Sequence, residues 1–172
     1  MLRLTPRYNA SGSLAGDWPS WFSALLLGRG VDTPEKAERF LHPSLSQLHD
    51  PFLMRDMDRA VFLIRQAVES GKRILVYGDY DVDGICASAI MTEALREMKA
   101  DVRYRLPDRN RDGYGLHTDI VREIAPETDL LITVDCGITS HEEVALARSL
   151  GLTVIVTDHH EPAETLPEAD AV

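Results

Sequence analysis

Cysteine is scarce in this chain: there are two, Cys86 and Cys136, in 172 residues, and they form no CxxC pair. That argues against a disulfide framework and against a zinc–thiolate site. It leaves two reduced thiols used as small packing residues. Long apolar runs are absent as well. No stretch approaches the ~20 residues that a membrane span requires. The start, Met1-Leu2-Arg3-Leu4-Thr5-Pro6, holds no apolar signal core. The chain therefore reads as soluble and cytoplasmic, with no membrane partner. Positive charge is in deficit, 18 Lys and Arg against 28 Asp and Glu, for a formal net charge of −10. A general basic surface for nucleic acid does not fit that balance. A local basic groove, or a carboxylate cluster neutralised by metal, does.

Hydrophobic residues make up 44% of the chain, enough for a core, and its length suits one domain of ordinary size or one domain plus a small appendage. The first part, residues 1–70, reads as a helical segment. Trp18, Trp21, Phe22, Leu25 and Leu26 recur at helical spacing. Thr33-Pro34-Glu35 is a helix start, with Thr as cap and Pro at the first position, and His42-Pro43-Ser44 ends that helix. Leu45 to Leu53 reads as a surface connector. Met57, Ala60, Val61, Ile64, Ala67 and Val68 then form one helical stripe that Gly71 stops.

After Gly71 the pattern changes. Short apolar runs at Ile74–Tyr77, Leu130–Val134 and Leu152–Thr157, and a more polar edge-like run at Val102–Leu106, alternate with helical stretches at about 84–98, 118–125 and 141–150. Ser140-His141-Glu142-Glu143 has the form of a capping box. Buried strands alternating with helices predict an α/β fold over residues 71–172, a mostly parallel sheet flanked by helices and preceded by the helical segment. The chain stops at Val172 where the pattern calls for a further helix, which reads as a fragment of something longer.

Three of the apolar runs end in Asp79-Tyr80-Asp81-Val82-Asp83, Asp135 and Asp158-His159-His160. Parallel strands bring their carboxyl ends to one edge, where open sheets bind ligands. So much negative charge at one place calls for a counter-ion. A carboxylate and imidazole set suits Mn²⁺, and also Mg²⁺, Fe²⁺ or Zn²⁺. Asp81 and Asp83, in a turn leading into a helix and followed by Gly84, are placed to splay onto two adjacent ions. A bridging carboxylate, for which Asp135 is the candidate, would hold such ions roughly 3.5–4 Å apart for in-line displacement at phosphorus. Gly137 would let a phosphate approach the backbone. Any one of these acids alone would read as a helix cap or turn residue.

The basic patch in this acidic chain is Arg103, Arg105, Arg109 and Arg111, followed by Asp112-Gly113-Tyr114-Gly115. It reads either as a solvated strand and loop or as a phosphate clamp, with Tyr114 available to stack on a base. Arg109 and Arg111, past the strand end, are the better clamp candidates.

Asp79-Tyr80-Asp81-Val82-Asp83-Gly84, Asp135-Cys136-Gly137 and Asp158-His159-His160 resemble the first three motifs of the DHH phosphoesterase superfamily. With the Thr33-Pro34-Glu35 helix and its Phe40-Leu41, His49-Asp50-Pro51-Phe52-Leu53 and Gly113-Tyr114-Gly115-Leu116, the chain is similar from about residue 18 onward to the bacterial single-stranded-DNA-specific exonucleases of that superfamily. The resemblance implies a DHH-type domain and 5′-to-3′ cleavage of single-stranded DNA into mononucleotides in DNA repair and recombination. It implies Mn²⁺ or Mg²⁺, two ions in the complete enzyme, and a helicase and a single-strand-binding protein as partners.

By the same resemblance Asp81, Asp83, Asp135 and His159 are metal ligands and Asp79 a ligand or near-ligand. His160 serves a metal or the scissile phosphate, and Asp158 orients the imidazoles. Arg109 falls in a Pro-x-Arg segment whose middle residue is Asp108 rather than the usual Asn, and Asp112 stands where Glu is usual. The family also implies a further metal-binding Asp and a second, substrate-binding domain beyond Val172. Other readings stay open at this point. They are a DHH phosphoesterase of short RNA or cyclic dinucleotides, a haloacid-dehalogenase-type phosphatase starting at Asp79-Tyr80-Asp81-Val82, and a non-catalytic binding module.

Overall fold

A computed structural model of the chain describes residue 14, residues 18–108 and residues 113–172. It divides into two compact units, Met1–Asp50 and Pro51–Val172.

The first unit is built on two helices, α1 (Ser20–Leu27) and α2 (Pro34–Leu41). Helix α2 starts as its sequence dictates. Pro34 has no amide proton to leave unpaired, and the Thr33 hydroxyl accepts the Lys36 amide at 3.2 Å. Leu14, Leu26, Val31 and Ala37 form its small core, with Trp18, Phe22 and Leu27 packed on it. The expected aromatic stripe splits here: Trp18, Phe22 and Leu26 turn inward, while Trp21 and Leu25 are exposed.

In the second unit α3 (Met57–Glu69) leads into β1 (Arg73–Gly78). Gly71 stops the helix with φ +62. Its amide donates to Val68 O at 3.1 Å and that of Lys72 to Ala67 O at 2.9 Å, the paired bonds of a Schellman cap. The rest alternates: α4 (Val82–Glu97), β2 (Asp101–Arg105), α5 (Thr118–Ile124), β3 (Leu130–Val134), α6 (His141–Ser149) and β4 (Thr153–Thr157). The four strands form one all-parallel sheet in the order β2-β1-β3-β4. The polar strand β2 lies at an edge, as its composition predicts.

Alternate residues of the central strands feed two cores. Leu75, Tyr77, Leu131, Val154 and Val156 face α5 and α6, while Ile74, Val76, Leu130, Ile132 and Ile155 face α3 and α4. Each fully buried Val, Leu or Ile contributes about 1.5–3 kcal/mol, so this two-faced burial is what makes β1 and β3 the rigid centre. Helix α3 packs on the sheet through Leu63 and Ala67 and belongs to this unit.

The expected capping box at α6 does not form. Ser140 precedes the helix but makes no side-chain cap bond, because its own backbone (φ −84, ψ 59) is bent into a turn closed by its amide on Gly137 O. That conformation is outside the extended region from which a cap oxygen reaches the first-turn amides. Glu142 and Glu143 in the first turn still complement the helix dipole. Beyond β4, Ala171 pairs in parallel with Ile155. Among the described residues no helix is long and apolar enough to cross a membrane.

Candidate metal centre

The chain leaves β1 for α4 on one face and leaves β3 for α6 on the other, so β1 and β3 flank the point where the connections change direction. Such a point opens a crevice at the strand ends. The ladder fixes what stands there. Gly78 is in register with Val134, and Val134 with Thr157. The next residues along the three strands are Asp79, Asp135 and Asp158.

Asp79 is buried, and its Oδ1 accepts the Tyr80 amide at 2.7 Å. Asp81 caps α4, its Oδ1 accepting the Gly84 amide at 3.0 Å. It thus fills the ordinary role of an Asp before a helix, with its other oxygen outside that bond. Gly84 follows the acidic segment where a glycine would ordinarily serve a tight turn, and it does not serve one here. Its φ is not left-handed; its function is close approach, since a Cβ there would stand 2.5–2.7 Å from the backbone of Asp79. Gly78 is crowded in the same way, against Ser88 Oγ and Gly84 O. The Asp79–Asp81 segment is therefore pressed onto the start of α4 by two positions that admit no side chain.

Asp135 has the strained φ of +61 and lies buried with only 5% of its side chain exposed. His159 Nε2 stands 2.9 Å from its Oδ1, close enough for an ion pair but out of line for a hydrogen bond, and neither carboxylate oxygen has an aligned partner among the described residues. Burial, and then the nearby Asp81 charge, push the Asp135 carboxyl above its usual range, with His159 and His160 opposing. A buried carboxylate without donors is costly and calls for a cation.

Asp158 is the opposite case. Its side chain is 1% exposed and fully engaged. Oδ2 accepts the Ile138 amide at 3.0 Å, and Oδ1 accepts the amides of His159 at 2.8 Å and His160 at 3.1 Å. His160 Nδ1 lies 2.7 Å from the same Oδ1. Burial raises the Asp158 carboxyl, and these bonds more than reverse it, leaving it below its usual range. The bond to Asp158 raises His160 in turn.

Two sets of side chains bring ligand atoms within 4.8 Å of one another: Asp79, Asp81 and Asp135, and Asp135, His159 and His160. Asp135 is common to both. Asp83 is in neither set; it sits exposed in the first turn of α4 and lines, with Cys86, Ile90, Met91, Asp135 and His159, a groove of about 540 Å³. Asp79, given a supporting place from sequence, thus stands closer to the group than Asp83, because α4 starts at Val82 and carries Asp83 round the helix. Gly137 is buried at φ +105, and a Cβ there would meet Thr133 Oγ1 at 2.7 Å.

Arg109 and Arg111 lie outside the described residues. Arg103 and Arg105 are paired with Glu127 and Glu123, at 2.6 and 2.8 Å. Tyr114 reaches the centre: its hydroxyl is 3.3 Å from His160 Nδ1 and the two rings meet edge-on at 5.8 Å. Burial, and next the Asp158 charge, push the Tyr114 hydroxyl up to about 12. Tyr77 was not singled out from sequence, yet its buried hydroxyl donates to Gly115 O at 2.9 Å and pins the loop that carries Tyr114. The available signal was a tyrosine ending an otherwise aliphatic buried strand.

The pattern of the DHH family, N-terminal domain, matches residues 73–172. The chain belongs to the DHH family. It is 42% identical over 151 residues to the single-stranded-DNA-specific exonuclease RecJ of Bacillus subtilis, covering 87% of this chain and 19% of that protein. It is 40% identical over 172 residues to RecJ of Dickeya dadantii, covering 99% and 29%. The chain thus spans less than a third of the length of these curated relatives. Among solved structures it resembles an exonuclease RecJ bound to manganese (TM-score 0.62, 44% identity, 64% of this chain and 29% of that one). It also resembles RecJ of Thermus thermophilus in complex with Mn²⁺ (TM-score 0.65, 36% identity, 84% and 19%). Membership of the DHH family does not favour the dehalogenase-type reading.

Proposed function

We propose that this DHH chain carries the first part of a two-metal phosphodiesterase site that cleaves single-stranded DNA from the 5′ end and releases mononucleotides. The observation that carries the reading is Asp135: a buried carboxylate, held at a strained φ, with no aligned donor on either oxygen and shared between two ligand sets. That is the environment of a carboxylate that bridges two cations. The relatives' names supply the substrate class, and the structures of RecJ with manganese supply the first choice of metal, Mn²⁺ with Mg²⁺ as the alternative.

In this reading Asp79, Asp81, Asp135 and His159 would hold the cations, with Asp83 on the wall of the adjoining groove as a further ligand. When bound, the ions supply Lewis-acid charge and a more acidic water. The protein's own residues do the rest. Asp158 keeps the imidazole of His160 turned toward the centre and fixes the backbone of the His159–His160 loop. His160 faces the phosphate or a metal. Arg109 and Arg111 serve as the phosphate clamp, and Gly137 as a point of close backbone approach. Residues 71–172 carry the DHH phosphoesterase domain, and of the helical lead 1–70 the last helix, α3, packs onto its sheet. DNA repair and recombination in the cytoplasm, beside a helicase and a single-strand-binding protein, is the setting this implies.

The test is hydrolysis of 5′-labelled single-stranded DNA with Mn²⁺ by a chain of the relatives' length that contains these residues, alongside Asp81→Ala and His159→Ala. Mononucleotide release from the 5′ end, abolished by either substitution, is the expected result. A preference for cyclic dinucleotides or short RNA over DNA would overturn the exonuclease reading and leave a different DHH phosphoesterase in its place.

A further inference from the structure

The sequence suggests Tyr114 as a platform on which a base stacks; its surroundings give its hydroxyl a different employment. Asp158 Oδ1 accepts the amides of His159 and His160, so it is an acceptor, and the His160 nitrogen 2.7 Å away must be the donor. His160 Nδ1 therefore carries the proton. The Tyr114 hydroxyl oxygen, 3.3 Å from the same nitrogen, then meets an N–H and not a lone pair. It acts as a second, weaker acceptor of that proton, and its own hydrogen is turned away from His160. The ring is held in this pose by its edge-on contact with His160 at 5.8 Å. The loop behind it is held by the Tyr77 hydroxyl on Gly115 O at 2.9 Å, a buried bond. Tyr114 as a residue remains 48% exposed beside the centre, within reach of a ligand there.

Resting on the phosphodiesterase reading, the geometry points to Tyr114 as a hydrogen-bond donor to a non-bridging phosphate oxygen of the substrate, with His160 Nδ1–H orienting the hydroxyl. The ring is then the mount and the hydroxyl the contact. A phosphate oxygen is the same on every nucleotide, so the contact is indifferent to the base. A hydrogen bond to a charged group is worth about tenfold or more in affinity.

Two measurements on the chain test this. In the metal-free chain, long-range ¹H–¹⁵N correlation of the His160 ring reads its tautomer without any substrate. A proton on Nδ1 is expected; a neutral ring protonated on Nε2 overturns the proposal alone, because the Tyr114 hydroxyl would then point at His160. In the second, binding of a 5′-phosphorylated thymidine dinucleotide and of its abasic counterpart to a chain of the relatives' length that contains these residues is measured with Mn²⁺ by calorimetry. Tyr114→Phe, which keeps the ring, is expected to lose about tenfold, as much as Tyr114→Ala, and on both ligands. Wild-type affinity in Tyr114→Phe with loss only in Tyr114→Ala, or loss only on the ligand that has bases, restores stacking and overturns the proposal. If the unmodified chain of the relatives' length binds neither ligand, the phosphodiesterase reading fails and this inference with it.

Discussion

His159 Nε2 lies 2.9 Å from Asp135 Oδ1 across the ends of β3 and β4, and both side chains belong to one set that could hold a cation. The carboxylate is buried and the imidazole is exposed, so the charge is fixed by the sheet and its partner is adjustable from the loop. Asp135→Asn tests what the carboxylate is for. Asn tolerates the left-handed φ at this position, and its amide can donate to the Asp79 or Asp81 carboxylates. The metal-free variant is expected to unfold at the same urea concentration as the parent or higher. The parent should gain about 2.7 kcal/mol at free Mn²⁺ near 100 times its Kd, and the variant nothing measurable. Urea titrations with and without Mn²⁺ read both.

Asp158→Ala is expected to cost about 1–2 kcal/mol, because it removes the acceptor that the Ile138, His159 and His160 amides now share. Mn²⁺ affinity should fall roughly 10–100-fold. His160→Ala removes an exposed ring and should change stability by no more than about 0.5 kcal/mol. Denaturation and calorimetry on the two variants separate support of the loop from contact with the ion.

Gly84→Ala would place a methyl 2.5 Å from the backbone of Asp79, and a backbone atom cannot swing aside as a side-chain end can. A loss of about 3 kcal/mol is expected, with weaker Mn²⁺ binding as Asp79 is displaced. A variant of normal stability would mean that α4 slides more freely over β1 than its packing indicates.

At the far end of the sheet, Asp129 accepts from the Arg73 amide at 2.8 Å, from Nε at 3.0 Å and from Nη2 at 2.9 Å. These bonds hold its carboxyl well below the usual carboxylate range. A depressed folded value contributes stability above the unfolded pKa, near 3.9, and loses it as pH falls through the folded value. Asp129→Asn should therefore cost about 1–2 kcal/mol at neutral pH and progressively less as the pH is lowered below about 4. Thermal unfolding across that range reads the difference.

Much of this was legible in the chain. Apolar runs of strand length, each ending in Asp, are enough to place Asp79, Asp135 and Asp158 at one edge, because parallel strands bring like ends together. The DHH motifs then name the family. What was not legible depended on angles. Periodicity cannot tell that α4 starts at Val82 and turns Asp83 away from the close group, or that Ser140 bends out of capping geometry. Nor can composition show that Arg103 and Arg105 are consumed by Glu127 and Glu123 from the segment after α4 and β2 have been made. Nor does sequence show that Gly78 and Gly84 act by exclusion, at positions where a side chain would strike the backbone or a neighbouring helix.

The row Gly78, Val134, Thr157 has a practical meaning for anyone altering this protein. Neighbouring strands in a ladder are about 4.8 Å apart, and the acids follow that row by one step each, so the ladder works as a ruler for the centre. Removing or inserting a single residue in β1, β3 or β4 would put one acid out of phase and turn its side chain to the opposite face. Such a change would disable the centre while every ligand was still present in the sequence. An inventory of motif residues would pass that protein as intact; only the count along the strands would reveal the fault.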